Sequence, residues 1–219
     1  MIGTRLNSWK SGYCVPGAAM PFGMVQFSTP ITGKTIGFGV NQVNAGCGHM
    51  ANFPVLPMKG ELRQSPGMMG GGMVGISDEK GHAGYYTARV QRSTACEFTA
   101  TVRTGIARFT FDDEEESSTI LIGAGIGATP IAHAAVSVSG PRSFEGYAEG
   151  GNFCGYPTPF KVYIYGEFDR EAAGSGVWKG DRLIPGGSFV EGSGSGLYFT
   201  FRKGAAPLQY KFGISYVSV

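Results

Sequence analysis

Along much of the chain, apolar and polar residues change places at every step. In "ARFTF", Phe109 and Phe111 fall on one face and Arg108 and Thr110 on the other, the period of two that a half-buried antiparallel strand requires. The same alternation runs through "KVYIYGEF", where Val162, Ile164 and Phe168 alternate with Lys161, Tyr163, Tyr165 and Glu167. In "LYFTFRK", Leu197, Phe199 and Phe201 alternate with Tyr198, Thr200 and Arg202, and "QYKFGISYVSV" continues the pattern with Tyr210, Phe212 and Ile214. The longest segments free of Gly and Pro, Tyr85 to Thr104 and Ile106 to Ile122, lack the apolar spacing of an amphipathic helix and read as strands. "IAHAAVSVS" reads as a strand too, because Val136 and Val138 alternate with Ser137 and Ser139. Gly-rich connectors at 66–75, 123–130, near 192–196 and at 202–207 punctuate these runs and are too short to separate domains. The pattern predicts an all-β fold, a large antiparallel β-sandwich with residues 1–219 as a single domain.

Composition supports a packed core and narrows the partners. The chain is 42% hydrophobic with 15 Phe and 10 Tyr, and its 37 glycines imply many tight turns. The net charge is +2 and Lys and Arg never cluster beyond pairs, so no nucleic-acid partner is indicated. No run of about 18 apolar residues is present to cross a bilayer, and "MIGTRLNSWK" has no apolar signal core, so no membrane partner is read. The acidic run from Asp112 to Glu116 reads as a solvated turn. Cys14, Cys47, Cys96 and Cys154 show no metal spacing; they read as free buried thiols, with one bridge among Cys14, Cys47 and Cys154 as the alternative.

The usual signatures of catalysis are missing. "GAGIGA" at 123–128 follows an apolar run, but Pro130 comes where a phosphate-binding helix would open. His49, His82 and His133 are scattered, without a second histidine at metal-ligand spacing, and there is no GxSxG. Nothing selects a catalytic pair among Glu97, Glu145, Glu149, Glu167 and Asp169. The stretch from Ile36 to Met58 is different: it sets the amides Asn41, Gln42 and Asn44 beside Phe38 and Phe53 around a Gly46-Cys47-Gly48 turn. Amides beside aromatic rings suit a sugar, whose hydroxyls take paired donors and acceptors and whose C–H face takes an apolar plate.

"PGAAMPFGMVQFS", preceded by "MIGT", resembles the opening signature of glycoside hydrolase family 92, the calcium-dependent exo-acting α-mannosidases. "GFGVNQVNAGCG" lies where that family has "GFSHTHLSGTGCG", and "GHAGYYTARV" with "CEFTATVRTGIARFTF" is similar to a further family stretch. "VYIYGEFDR" and "KFGISYVSV" resemble the closing strands of its N-terminal domain. The resemblance implies a galactose-mutarotase-like supersandwich that packs against a C-terminal (α/α)6 barrel, with an α-mannoside or related glycan between them. It places the catalytic carboxylates and calcium in the barrel, so this chain is expected to hold no catalytic residue and to be inactive alone. It also implies that the parent enzyme is periplasmic or secreted. The substrate-binding residues it points to are Asn41, Gln42, Gly46, Cys47 and Gly48 in one loop and Asn152 and Phe153, beside Cys154, in another. "GVNQ" at Gly39 to Gln42 and His49 after the glycine turn depart from the family pattern and leave the sugar open. A stand-alone carbohydrate-binding or interaction module is the alternative, and a free-standing mutarotase a third reading.

Overall fold

Alternation of buried and exposed side chains builds many of the strands, while two strands of the smaller sheet are buried along almost their whole length. The structure, a computed structural model, describes residues 16–29, 33–42, 50–67, 73–112, 117–127, 129–151, 155, 157–202, 204 and 206–219. In chain order the strands are β1 (Gly17–Ala19), β2 (Gln26–Ser28), β3 (Lys34–Thr35), β4 (Val55–Lys59), β5 (Val74–His82), β6 (Tyr85–Val90), β7 (Thr94–Ala100), β8 (Thr104–Phe111) and β9 (Ser118–Gly123). They continue with β10 (Ile131–Gly140), β11 (Ser143–Gly150), β12 (Phe160–Phe168), β13 (Gly174–Lys179), β14 (Arg182–Pro185), β15 (Phe189–Glu191), β16 (Ser195–Phe201) and β17 (Leu208–Ser215). No helix occurs among the described residues, so the all-β expectation holds.

The strands form a ten-stranded sheet in the order β15-β10-β11-β12-β17-β8-β7-β6-β5-β3, a five-stranded sheet in the order β14-β13-β16-β9-β4, and a two-stranded ribbon of β1 and β2. Pairing within the sheets is antiparallel throughout. The residues read as one face are buried on β12 (Val162, Ile164 and Phe168), on β17 (Tyr210, Phe212 and Ile214) and on β16 (Leu197, Phe199 and Phe201). On β16, however, Tyr198 of the opposite face is buried as well, because that strand lies inside the smaller sheet. Phe168 lies 5.1 Å from Phe199 and 4.9 Å from Phe201, ring to ring, and so ties the large sheet to β16 of the smaller one. A single apolar cluster draws on both sheets and on the ribbon.

The ribbon is fastened by aromatic rings. Phe27 of β2 meets Phe98 of β7 edge-on at 4.7 Å and Phe212 of β17 at 5.0 Å, geometries that ring quadrupoles favour. Val25 and Phe27 are fully buried and Gln26 between them is partly exposed, so the opening motif is a buried short strand with a turn at its tip.

Two details of the sequence reading change. The run from Tyr85 to Thr104 is a hairpin, because Gln91 and Arg92 both adopt positive φ, 49° and 59°, and reverse the chain without a glycine. Many glycines also sit inside strands: Gly196 belongs to β16, although its "GSG" neighbourhood reads as a connector. A Cβ on Gly196 would stand 2.5 Å from the carbonyl oxygen of Ile122.

Candidate functional site

Three buried amide residues gather at the tip-proximal end of β2. Gln26 bridges to Asn41 in parallel sense; its N–H donates to the Val40 carbonyl at 3.1 Å and its carbonyl accepts from the Gln42 N–H at 2.9 Å. The Val40 N–H in turn donates to the Asn52 carbonyl at 3.0 Å. Three stretches of chain, 26–28, 38–42 and 50–55, are therefore laced together, and they bring Asn41, Gln42 and Asn52 side by side with no exposed surface on any of the three.

Asn41 and Asn52 form a closed amide pair. Asn41 Nδ2 donates to Asn52 Oδ1 at 2.9 Å, and Asn41 Oδ1 accepts from the Asn52 backbone N–H at 2.8 Å. The second Nδ2 hydrogen of Asn41 reaches the Tyr216 hydroxyl, just past β17, at 3.3 Å. Burial pushes the Tyr216 phenol up and the bond from Asn41 partly offsets this, so the hydroxyl stays neutral near pH 7 and keeps a proton to donate. The backbone around Asn52 is bent to fit: Ala51 and Phe53 on either side both hold φ at 48°, left-handed values that a side chain rarely adopts. Gly39 makes room, since a Cβ there would stand 2.8 Å from Ala51 Cα.

Beside this closed pair lie unused polar groups. Both polar atoms of Gln42, Asn52 Nδ2 and Thr129 Oγ1 are buried without a hydrogen-bond partner. Gly127 abuts the same loop, for a Cβ there would lie 3.2 Å from the Met50 carbonyl oxygen. Buried polar atoms are nearly always paired, so these four atoms are candidates for contact with a further polar group. Of the residues expected to bind substrate, Asn41 and Gln42 are here; Gly46, Cys47, Gly48, Asn152 and Phe153 lie outside the described residues, as do Cys14, Cys154 and His49. Asn52, Thr129 and Tyr216 were missed. Asn52 carries the same signal as Asn41, an amide in a Gly- and aromatic-rich loop.

Of the carboxylates on and beside the large sheet, Glu97, Glu149, Glu167 and Asp169 are engaged in ion pairs and Glu145 is not, among the described residues. Glu167 meets Arg142 at 3.1 Å and Lys211 at 3.2 Å, Glu149 meets Lys161 at 3.9 Å, and Asp169 meets Arg170 at 3.2 Å. Arg108 grips Glu97 with two bonds of 2.7 Å, and the Tyr85 hydroxyl adds a third at 2.8 Å. The bonds from Arg108 hold the Glu97 carboxyl below its ordinary range, outweighing the opposing effect of burial, with Tyr85 assisting. A lowered folded-state pKa contributes stability that is present above the ordinary carboxylate range and lost as the pH falls through the lowered value. In an NMR titration Glu97 is expected to protonate below the ordinary carboxylate range, and Arg108→Gln is expected to bring its midpoint back up. A midpoint that Arg108→Gln leaves in place would contradict this.

Among the described residues no three His, Cys, Asp or Glu side chains converge to hold a metal ion, and His82 and His133 sit on separated strands of the large sheet. His82 stacks on Tyr85 at 5.1 Å. Cys96 is a buried free thiol whose pKa burial pushes up, a structural rather than a nucleophilic cysteine. No described helix is long and apolar enough to cross a membrane.

Comparison with known proteins agrees with the all-β fold. The family description "Glycosyl hydrolase family 92 N-terminal domain" matches residues 1–215. A family GH92 α-mannosidase of Bacteroides thetaiotaomicron superimposes on the whole chain with a TM-score of 0.84 at 20% identity, over 33% of its own length. An inverting mannosidase of the same family from Bacteroides thetaiotaomicron VPI-5482 does so with a TM-score of 0.79 at 20% identity, over 30% of its length. The chain thus spans about a third of these solved structures, and at such identity the likeness is one of fold. No curated protein matches the chain.

Proposed function

Because the chain belongs to the N-terminal domain of glycosyl hydrolase family 92, we propose that it serves as the β-sandwich of an α-mannosidase-like glycoside hydrolase. In this reading it lends loop residues to a sugar pocket and packs against an (α/α)6 barrel that carries the catalysis. The observation that carries the pocket assignment is the buried amide cluster at one end of the sandwich. There Asn41 is closed on Asn52 while Gln42 keeps a donor and an acceptor unused. A carboxamide with both groups free matches a pair of neighbouring hydroxyls, the recurring feature of a pyranose.

The roles divide accordingly. Hydrolysis with inversion needs an acid and a base about 6.5–9.5 Å apart on either side of the bond. Glu97, Glu149, Glu167 and Asp169 are each tied to a cation, which disfavours them as the acid, and both groups are assigned to the barrel. In this reading calcium, too, is assigned to the barrel. On the same reading the chain supplies orientation, with Asn41 and Asn52 fixing the loop and the buried Gln42 amide keeping its unused donor and acceptor beside them.

The test compares two preparations. The complete polypeptide is expected to hydrolyse an aryl α-mannoside and to lose that activity on chelation of calcium, whereas residues 1–219 alone show none. Turnover by residues 1–219 alone would overturn the assignment of catalysis to the barrel.

A further inference from the structure

The tip between β1 and β2 is an apolar knob. Pro21 and Phe22 are the central residues of a turn closed by the Gly23 N–H on the Met20 carbonyl at 3.1 Å, and Phe22 holds φ at 58°. That is the position of a type II turn where positive φ favours Gly or Asn. A phenylalanine stands there instead, with a relative exposure of 104%. Met20, Met24 and Val102 around it are 45%, 36% and 49% exposed.

The knob is held firmly. The Val102 carbonyl accepts from the Met24 N–H at 2.7 Å and the Val25 N–H at 3.4 Å, which fastens the tip to the turn between β7 and β8. A Cβ on Gly23 would lie 3.4 Å from Val102 Cα and 3.3 Å from the Met20 carbonyl oxygen. No charged residue occurs between Pro16 and Thr29. Strain and exposure both count against Phe22 in the isolated domain, and such combinations gather where a surface meets something else. A rigid aromatic anchor ringed by adaptable methionines is the make-up of an interface hot spot.

The knob also sits at the candidate site. Gln26, four residues on, bridges Asn41 and accepts from Gln42. The Ile214 N–H donates to the Arg103 carbonyl at 3.0 Å, which brings Tyr216 and the 85%-exposed Val217 to the same end. In the solved structures of this fold about two thirds of the polypeptide lies beyond the matched part. We propose that Phe22, flanked by Met20, Met24 and Val102, is the anchor by which this domain docks into an apolar socket on the domain that completes the sugar pocket. The proposal rests on the two-domain reading above.

The experiment uses the complete polypeptide with the photo-cross-linking residue benzoylphenylalanine at position 22, and at Phe189, exposed on β15 at the edge of the large sheet, as control. Irradiation is expected to join position 22 to a residue beyond Val219 of the same molecule and to leave position 189 unjoined. Phe22→Gly, which relieves the strained φ, is expected to leave the melting temperature of residues 1–219 unchanged or higher. In the complete polypeptide it is expected to lower kcat/KM at least tenfold and to speed proteolytic separation of the two parts. A cross-link between two copies overturns the socket. So does the absence of any cross-link at position 22 in a preparation that hydrolyses α-mannoside. A cross-link beyond Val219 in a preparation without glycosidase activity keeps the docking and overturns the catalytic reading, and a reading frame that closes after Val219 overturns both.

Discussion

Gly166→Ala is expected to destabilise the domain by about 1–3 kcal/mol, the usual cost of forcing extra atoms into a filled core. Gly166 is buried on β12, directly opposite Phe144 of β11, and a Cβ there would lie 2.5 Å from Phe144 Cζ and 3.0 Å from Tyr210 Cε2. The two rings stack over the glycine from the flanking strands, 6.1 Å apart and 15° from parallel. They occupy the space its missing side chain leaves. Phe144 is fully buried and also touches Phe199 across the sandwich, so Phe144→Ala alone should cost about 3–5 kcal/mol. The two changes should not add. With the ring gone, the alanine methyl at 166 enters the vacated space, and the double variant is expected to be more stable than the sum of the single losses by about 1 kcal/mol or more. Urea unfolding of the four proteins measures the cycle. Strict additivity would show that the ring and the glycine are not complementary.

That pair also shows where the sequence stops being legible. Alternation places Val162, Ile164 and Phe168 on the inner face because it is a local property of one strand, and the burial of these residues agrees. A glycine carries no such local mark. Gly166 and Gly196 look like the turn glycines Gly180 and Gly186, which do hold φ at 52° and 71°, yet they lie in strands and accommodate rings or backbone supplied by other strands. The turn at Gln91 and Arg92 fails to announce itself for the converse reason, since tertiary pairing of β6 with β7 overrides the absence of turn residues. The site divides in the same way. Asn41 and Gln42 stand out because amides, glycines and aromatics crowd one loop, but Tyr216 lies 175 residues from Asn41, and only the closing of β17 against β8 brings them together.

Asn41→Ala is expected to cost roughly 2–5 kcal/mol, well above the loss from Asn52→Ala, although the two amides face each other. Removing the Asn41 carboxamide strands two buried groups at once, the Asn52 backbone N–H and Asn52 Oδ1, each at about 1–3 kcal/mol when no partner replaces the lost one. Removing the Asn52 side chain strands less. Its backbone N–H still donates to Asn41 Oδ1, Asn41 Nδ2 keeps the Tyr216 hydroxyl, and Asn52 Nδ2 has no partner to lose. Tyr216→Phe gives up only the 3.3 Å bond at a partly exposed ring and should cost well under about 1 kcal/mol. Chemical denaturation of the three variants checks the order, and equal losses from Asn41→Ala and Asn52→Ala would show that the Asn52 N–H finds another acceptor. The same order should reappear in function. Ala51 and Phe53 hold left-handed backbone only because the surrounding bonds fix Asn52 between them. Losing Asn41 lets that strain relax and shifts the loop next to Gln42, the residue proposed to meet the sugar. In the complete polypeptide Asn41→Ala should therefore raise KM for an α-mannoside more than Asn52→Ala does.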